Sequence, residues 1–310
     1  MIAVSGLKTK LLLLLVPILV CGCGTSTSYR PADQKTIRDF TGGSGYRKTV
    51  GVMALLNTTR FTSDQVALPF MTVFLSSMES TASGALLDVP GKAGAPPFLW
   101  NPPRLANGDL DVFTLSGLVR AEGMNAVVSP LLLDIRVRKR DTGFWIFKDV
   151  AYSLQIQTAA AIYDGITGAR LALGILTDEV DIDEYEAGLI REGQELQVPD
   201  LVEVAEEMGE ALGERMGDAI SDSSWRASVH SIEDGACIIQ VGAEAGIQAG
   251  DRFTVLDGSR VLTGLDGQRY IVPGAKIGDI SIGRVGPRQA AGVTETGAVP
   301  PVGSILVPGQ

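Results

Sequence analysis

Apolar stretches with strand periodicity dominate the chain between residues 48 and 223. Residues 49–56 are apolar almost throughout and bounded by polar residues, as in a strand buried on both faces. Residues 150–157 alternate between apolar and polar side chains, as in a strand with one buried and one solvent-exposed face. Turn sequences at residues 141–143 and 164–168 divide the longest stretches. The predicted strands are residues 49–56, 85–89, 126–138, 145–163 and 169–180.

Three segments with helical spacing alternate with these strands. One helix has Pro69 in its first turn, a second covers residues 109–122, and a third opens at Pro199. Residues 91–107 are rich in Pro and Gly and show neither period, so we expect a long loop there. The order of the elements predicts an α/β sandwich with one mixed sheet over residues 48–223.

Residues 224–310 predict a second, all-β domain. Their strands are short, closely spaced and separated by Gly, Asp and Pro, which is typical of a small barrel. Gly242, Gly246 and Gly250 stand at intervals of four and permit tight turns with positive φ. The predicted strands are residues 229–231, 236–241, 252–256, 269–272, 277–285 and 304–307. The predicted fold class is therefore α+β, an α/β sandwich followed by a small β-barrel.

Residues 1–22 have the pattern of a secretory leader. Two lysines precede an apolar run over residues 11–20, which is shorter than the roughly 20 residues that a membrane-spanning helix needs. The exit at residues 20–23 resembles the lipobox of bacterial lipoprotein precursors, in which the cysteine after the cut, here Cys23, is acylated. Acylation at Cys21 and an ordinary signal peptide remain the alternatives.

This resemblance divides the N-terminal region into a signal peptide, residues 1–22, and a lipidated tether, residues 23–47. Lipoproteins of this type carry three acyl chains, palmitate among them, and more than one chain is needed for stable anchoring in a bilayer. The residue after Cys23 is Gly24 rather than Asp, which the same resemblance links to the outer membrane in a cell with two membranes.

The net charge and the number of cysteines exclude one class of partner and an intrachain disulfide. Once the leader is removed, 24 basic residues face 36 acidic ones, a net charge of −12. Nucleic acid is excluded as a partner class because its binding depends on Lys and Arg at the phosphates. Cys23 and Cys237 are then the remaining cysteines, and lipidation of Cys23 leaves no pair for an intrachain disulfide. Cys237 lies in an apolar strand, where a buried core position is expected.

Two regions resemble known families of the bacterial envelope. The strand at residues 49–57 with its Asn-Thr turn, and the strand at residues 126–134, look like the TolB amino-terminal and curli-secretion lipoprotein group. Residues 241–255, with the pattern Gly-x-x-x-Gly-hydrophobic-x-x-Gly-Asp, are similar to the barrel that ends flagellar assembly protein T. These families supply assembly, secretion and ring-building components rather than enzymes. A pore-forming hairpin of the curli type is not predicted, because it needs an outward apolar band about 25 Å tall, whereas residues 152–157 interleave glutamines with apolar residues.

No catalytic, cofactor or metal site is predicted. His230 is the single histidine of the sequence and has no nucleophile motif nearby, so a structural or surface role is expected. Residues 42–49 lack the glycine that a phosphate loop requires immediately before its lysine. The acidic residues 178–184 lack the glycine of an EF-hand loop, and Asp181 and Asp183 are expected to cap the helix that follows.

Two features are candidates for contact with a partner. Alternation puts Arg136, Arg138 and Arg140 on one side of a predicted hairpin end, which either contacts an acidic surface or is simply solvated. Trp100 lies in the Pro-rich loop, which either anchors an interface or folds back onto the core.

The sequence thus predicts a non-enzymatic structural or assembly factor of the cell envelope, without a cofactor and linked to the flagellum or to secretion. Its predicted place is the periplasmic face of the outer membrane. Its partners are the lipid bilayer through Cys23 and either further copies of the chain or an envelope machine. The alternative is a monomeric periplasmic binding module for a glycan or a peptide.

Overall fold

Six strands form one mixed sheet: β1 (Thr49–Val52), β2 (Leu56–Asn57), β3 (Leu86–Asp88), β4 (Ala126–Phe144), β5 (Phe147–Asp164) and β6 (Arg170–Ile182). The computed structural model describes residues 45–59, 64–82, 84–144, 147–194 and 198–309, so the predicted leader and Cys23 lie outside the described residues. The sheet order is β3-β1-β4-β5-β6, with β2 beside β4. β1 is parallel to β3 and β4, whereas β4, β5 and β6 form an antiparallel meander. The predicted mixed sheet is confirmed.

Two strand boundaries differ from the prediction. The first strand divides into β1 and β2 because the N–H of Ala54 leaves the sheet and donates to the carbonyl of Leu99 at 2.8 Å. The turn expected at residues 141–143 is wrong, since these residues pair with residues 148–150 and β4 continues to Phe144. Each further residue of β4 gains a cross-strand partner in β5, which outweighs the local turn preference of Asp-Thr-Gly.

Among the described residues, four α-helices accompany the sheet: α1 (Asp64–Thr81), α2 (Val112–Ala121), α3 (Glu184–Arg191) and α4 (Pro199–Asp222). α1, α3 and α4 share one buried core with the sheet. Pro69 lies inside α1, which already extends back to Asp64, so its predicted place in the first turn is wrong. Among the helices that the structure describes, none is both long and apolar enough to cross a membrane.

α1 and α4 pack with their backbones close together. Gly209, Gly213 and Gly217 repeat every four residues along the side of α4 that faces α1. A Cβ at Gly209 would stand 2.5 Å from the carbonyl oxygen of Phe70, and a Cβ at Gly213 would stand 2.5 Å from that of Phe74. The contacts advance in the same direction along both helices, so the helices run parallel. Any larger residue at these positions would push them apart.

α2 and the loop before it cover one end of the opposite face of the sheet. Leu99 from the loop and Leu115 and Val119 from α2 form a buried cluster with Met53 and Val127 of the sheet segments. The loop contains a 3₁₀ turn, Pro97–Leu99, which brings Leu99 into this cluster.

The residues after α4 build a closed six-stranded barrel and one hairpin: β7 (Ala227–Glu233), β8 (Ala236–Ile239), β9 (Arg252–Leu256), β10 (Val261–Thr263), β11 (Arg269–Ile271), β12 (Lys276–Val285), β13 (Ala290–Thr296) and β14 (Ile305–Pro308). The barrel order is β12-β13-β8-β7-β14-β9, which confirms the predicted barrel. β11 was expected in the barrel but pairs with β10 outside it. β13 was missed, because its sequence Ala-Ala-Gly-Val-Thr-Glu-Thr carries a single bulky apolar residue.

The three glycines before β9 serve different purposes. Gly246 and Gly250 have φ angles of +89° and +93°, as predicted. Gly242 is extended with φ −139°, so the prediction of a positive φ is wrong there. Glycine is still required at this position, because a Cβ would lie 2.3 Å from the carbonyl oxygen of Gly286.

The barrel packs directly against the sheet part of the chain. Ile166, which follows β5, forms a buried cluster with Ile271 and Ile305 of the barrel region, and Phe113 of α2 packs against them. The described residues accordingly belong to one compact unit.

Polar contacts fix the orientation of the barrel. The amide Nδ2 of Asn125 donates to the carbonyl of Arg226 at 2.6 Å. The guanidinium of Arg226 in turn lies 3.5 Å from the carboxylate of Asp164, which is only 9% exposed. Because these groups are largely screened from water, loss of one partner would leave the other uncompensated.

The residues just before β1 also pack on the barrel. The ring centroid of Tyr46 lies 4.9 Å from that of Trp225 and 5.5 Å from that of Phe253. The indole Nε1 of Trp225 donates to the carbonyl of Arg47 at 3.2 Å. Burial, together with a hydrogen bond to Asp251, raises the pKa of Tyr46 to about 12. The end of the predicted tether is therefore held by the barrel.

The raised pKa of Tyr46 predicts a pH-dependent contribution to stability. A hydroxyl whose pKa is 10.0 when unfolded and about 12 when folded stabilises the fold below pH 10, and this contribution is lost as the pH rises from 10 through 12. We expect Tyr46→Phe to lower the free energy of unfolding at about pH 8. At about pH 11 the difference in this free energy between the variant and wild type should be smaller. Urea unfolding followed by tryptophan fluorescence measures both values.

Tyr185 supplies the matched control, since its side chain is 73% exposed. We expect Tyr185→Phe to leave the free energy of unfolding close to that of wild type at both pH values. A gap for Tyr46→Phe that stays constant from about pH 8 to pH 11 would show that the hydroxyl keeps its ordinary pKa.

Candidate interaction surface

A polar ladder crosses three strands on the face of the sheet that α2 leaves open. Directly paired residues share a face, and the register aligns Arg136 with Gln155 and Gln155 with Glu179. The guanidinium of Arg136 donates to Oε1 of Gln155 at 3.0 and 3.1 Å. Nε2 of Gln155 donates to Oε1 of Glu179 at 2.8 Å, so the ladder is continuous from β4 to β6.

The other two predicted arginines join the same ladder. Nε of Arg138 donates to Oε1 of Gln155 at 3.1 Å, and Nη2 of Arg140 donates to Oε2 of Glu179 at 3.0 Å. The structure thus brings the three arginines together on one face, as alternation predicted. They lie along β4 rather than at a hairpin end, because β4 continues to Phe144.

The ladder contributes little to folding stability. Arg136 also forms an ion pair with Asp134 at 3.3 Å, as Arg140 does with Glu179. The arginine side chains in these pairs are 52% and 67% exposed. Exposed pairs of this kind are worth roughly 0.2–1 kcal/mol each, because water competes for both charges. The guanidinium groups are therefore held in place yet remain accessible to the carboxylates of another molecule.

An apolar row lies on the same face, separated from the ladder by one polar row, Asp134, Gln157 and Thr177. Leu56, Leu131, Ala159 and Ile175 stand directly opposite one another across β2, β4, β5 and β6. Ile175 is 50% exposed and its neighbour on this face, Leu173, is 39% exposed. A large apolar side chain left half in water gains free energy when a partner covers it.

Trp100 remains at the surface while its neighbours fold inward. Phe98 and Leu99 are buried, at 7% and 0% exposure, whereas Trp100 is 58% exposed. The loop therefore has features of both alternatives. The loop folds back onto the core through Phe98 and Leu99, and its last aromatic ring faces outward. A partner contact at Trp100 stays a prediction.

The acidic segment of residues 178–184 runs from the end of β6 into α3, and part of it caps the helix. Oδ1 of Asp183 accepts from the N–H of Glu186 at 2.7 Å, and the carboxylate of Glu186 accepts from the N–H of Asp183 at 2.9 Å. This reciprocal pair confirms Asp183 as the cap of α3. Asp181 lies within β6, so the expectation that it caps the helix is wrong. Within the described ranges, no three metal-binding side chains cluster.

Cys237 and His230 both lie on strands of the barrel. Cys237 is buried in the barrel core, as predicted, and burial raises the pKa of its thiol. A thiol with a raised pKa stays protonated at neutral pH and is a poor nucleophile. His230 lies exposed on β7.

Sequence reasoning missed the outer edge of the sheet at β6. Residues 171–176 are apolar on both sides of the strand, which normally indicates a central strand covered on both faces. The topology instead puts β6 last in the sheet. The signal that could have revealed this is the acidic sequence directly after the apolar run, at residues 178–181.

Comparisons with known proteins find no family and only weak structural likenesses. No protein-family model matches the chain, and no curated protein matches it. Among solved structures it is similar to the hypothetical protein CT253 from Chlamydia trachomatis, with 11% identity over 56% of this chain and 98% of that chain, and a TM-score of 0.33. Lipoprotein GNA1162 from Neisseria meningitidis shows 12% identity over 47% and 94% of the two chains, with a TM-score of 0.27. The PelC dodecamer from Paraburkholderia phytofirmans shows 12% identity over 56% and 88%, with a TM-score of 0.30. Likenesses this weak carry no argument about function.

Proposed function

We propose that this chain is a lipid-anchored, non-enzymatic assembly factor on the periplasmic face of the outer membrane. Cys23 carries the acyl chains, the segment after it tethers the folded body to the membrane, and the open face of the sheet contacts the partner. The lipobox resemblance at residues 20–23 supports the anchor. The arrangement of the sheet face supports the contact.

The observation that carries the proposal is the combination of the apolar row with the arginine ladder on one open face. Interfaces typically have an apolar centre and a polar, hydrated rim. Here Ile175 and Leu173 supply exposed apolar area, and the arginines lie farther along the same face, beyond one polar row. Because hydrogen bonds to Gln155 already hold Arg136 and Arg138, less side-chain freedom is lost when a partner binds. The chemistry of this face fits an acidic partner surface with an apolar patch.

Replacing the ladder arginines tests this function. We expect the full chain with Arg136→Ser, Arg138→Ser and Arg140→Ser to lose most of the higher-mass species that formaldehyde crosslinking in whole cells produces from wild type. The reason is that the partner's carboxylates lose three charged donors. A tag on the chain and a denaturing gel report the species.

The matched control removes the same charge from the barrel. Arg252, Arg260 and Arg284 are exposed there, and their replacement by Ser should leave the crosslinked species unchanged. Equal loss in the two triple variants, or no loss in the ladder variant, would contradict the proposal. A wild-type chain that crosslinks to nothing would favour the alternative, a monomeric binding module, whose ligand would raise the melting temperature.

A further inference from the structure

The two strands at the ends of the sheet order, β3 and β6, differ in how they are protected against pairing with another strand. β3 is only three residues long. Asp88 at its end is bridged by Lys92 at 3.2 Å and by Arg288 of the barrel region at 3.6 Å. Short length and edge charges are the usual devices against intermolecular pairing.

β6 forms the opposite edge and lacks these devices from Ala172 to Leu176, after a bulge at Leu171. The strand is 13 residues long, and residues 171–176 carry neither charge nor proline. Its pairing with β5 is regular from Ala172 to Ile182. Within the described part of the chain, no strand pairs with β6 on the side away from β5. Its outward N–H and C=O groups therefore form a regular template for another strand.

The charge along β6 makes this template complementary to itself. The strand begins with exposed Arg170 and ends with Asp178, Glu179 and Asp181, with the apolar segment between them. When two such strands pair antiparallel, the basic start of each meets the acidic end of the other. The register that sets Leu173 opposite Ile175 of the second copy also brings Arg170 near the acidic end of that copy, residues 178–181. Apolar pairs placed directly across from each other and opposite charges brought close together both stabilise a sheet.

We propose that β6 pairs antiparallel with β6 of a second copy of this chain, so that two sheets join into one across a twofold axis near Gly174. Both copies then contribute the same residues to the interface, as in the commonest type of homodimer. The contact covers Leu171, Leu173 and Ile175, which are 40%, 39% and 50% exposed in the single chain. The inference rests on the proposed function in one respect, because it names a second copy as one partner of the assembly surface.

A charge placed on the edge tests the contact. We expect the full chain, extracted in mild detergent, to show a protein mass of two copies by light scattering coupled to size exclusion. Ile175→Lys should raise the dissociation constant at least about tenfold, because it puts a lysine into the apolar centre of both symmetry-related halves. Val293→Lys is the matched control, since Val293 is a 54% exposed strand residue on β13 and should keep the wild-type mass.

A charge reversal tests the antiparallel orientation. Arg170→Glu should weaken the dimer, because the new carboxylate then meets the acidic end of the second copy at both symmetry-related positions. Arg170→Gln, which only removes the charge, should weaken the dimer less. A single-copy wild-type mass, or a dimer that Ile175→Lys leaves intact, would overturn the β6 contact. Crosslinks in cells that still depend on the ladder arginines would then leave the proposed function standing.

Discussion

Gly123→Ala is expected to lower the free energy of unfolding by about 3 kcal/mol or more. Gly123 follows α2 with φ +70°, which an alanine adopts only under strain. A Cβ there would also lie 1.8 Å from the carbonyl oxygen of Gln240, which follows β8 of the barrel. Backbone cannot yield as a flexible side chain would, so α2 and the barrel would have to separate. Urea unfolding of the full chain measures the loss.

Gly193 is a matched control for this prediction. It stands directly after the cap of α3, as Gly123 does after α2, and its φ is +85°. A Cβ at Gly193 would meet nothing within 4 Å. Gly193→Ala therefore measures backbone strain alone, which we expect to cost about 1 kcal/mol. Equal losses in the two variants would show that the contact between α2 and the barrel is not what makes Gly123 indispensable.

Removal of the predicted lipid attachment is expected to move the chain out of the membrane fraction almost completely. The change combines Cys23→Ala with a secretory leader taken from a soluble periplasmic protein, so that an uncleaved leader cannot act as an anchor. Each buried CH₂ of an acyl chain contributes about 0.8 kcal/mol to membrane binding, so loss of the chains removes the dominant attraction. Fractionation and mass spectrometry of the N-terminal peptide measure the effect.

The control for this experiment keeps the native leader and changes only Cys21→Ala. We expect this chain to remain in the membrane fraction with an acylated Cys23. An acyl group found on Cys21, or an unmodified Cys23 in the wild-type chain, would replace the predicted attachment site with one of the two alternatives left open by the sequence.

The sequence by itself determined the class and the order of most elements, because hydrophobic period is a local property. It identified the meander of β4 to β6, the helix that opens at Pro199, the cap at Asp183 and most strands of the barrel. It also placed the three arginines on one face, since alternation within a strand needs no knowledge of neighbouring strands. Where side chains were small, as in β13, the period left no signal and the strand was missed.

The tertiary structure decided everything that depends on which strands and helices meet. The long pairing of β4 with β5 overrode the local turn preference at residues 141–143 and put the arginines along a continuous strand rather than at a hairpin end. The position of β6 as an edge strand, the fit of Gly123 against Gln240 and the packing of Tyr46 on Trp225 join residues far apart in sequence. Such contacts form only when the whole chain buries its apolar surface together, so no short window of residues contains the information that selects them.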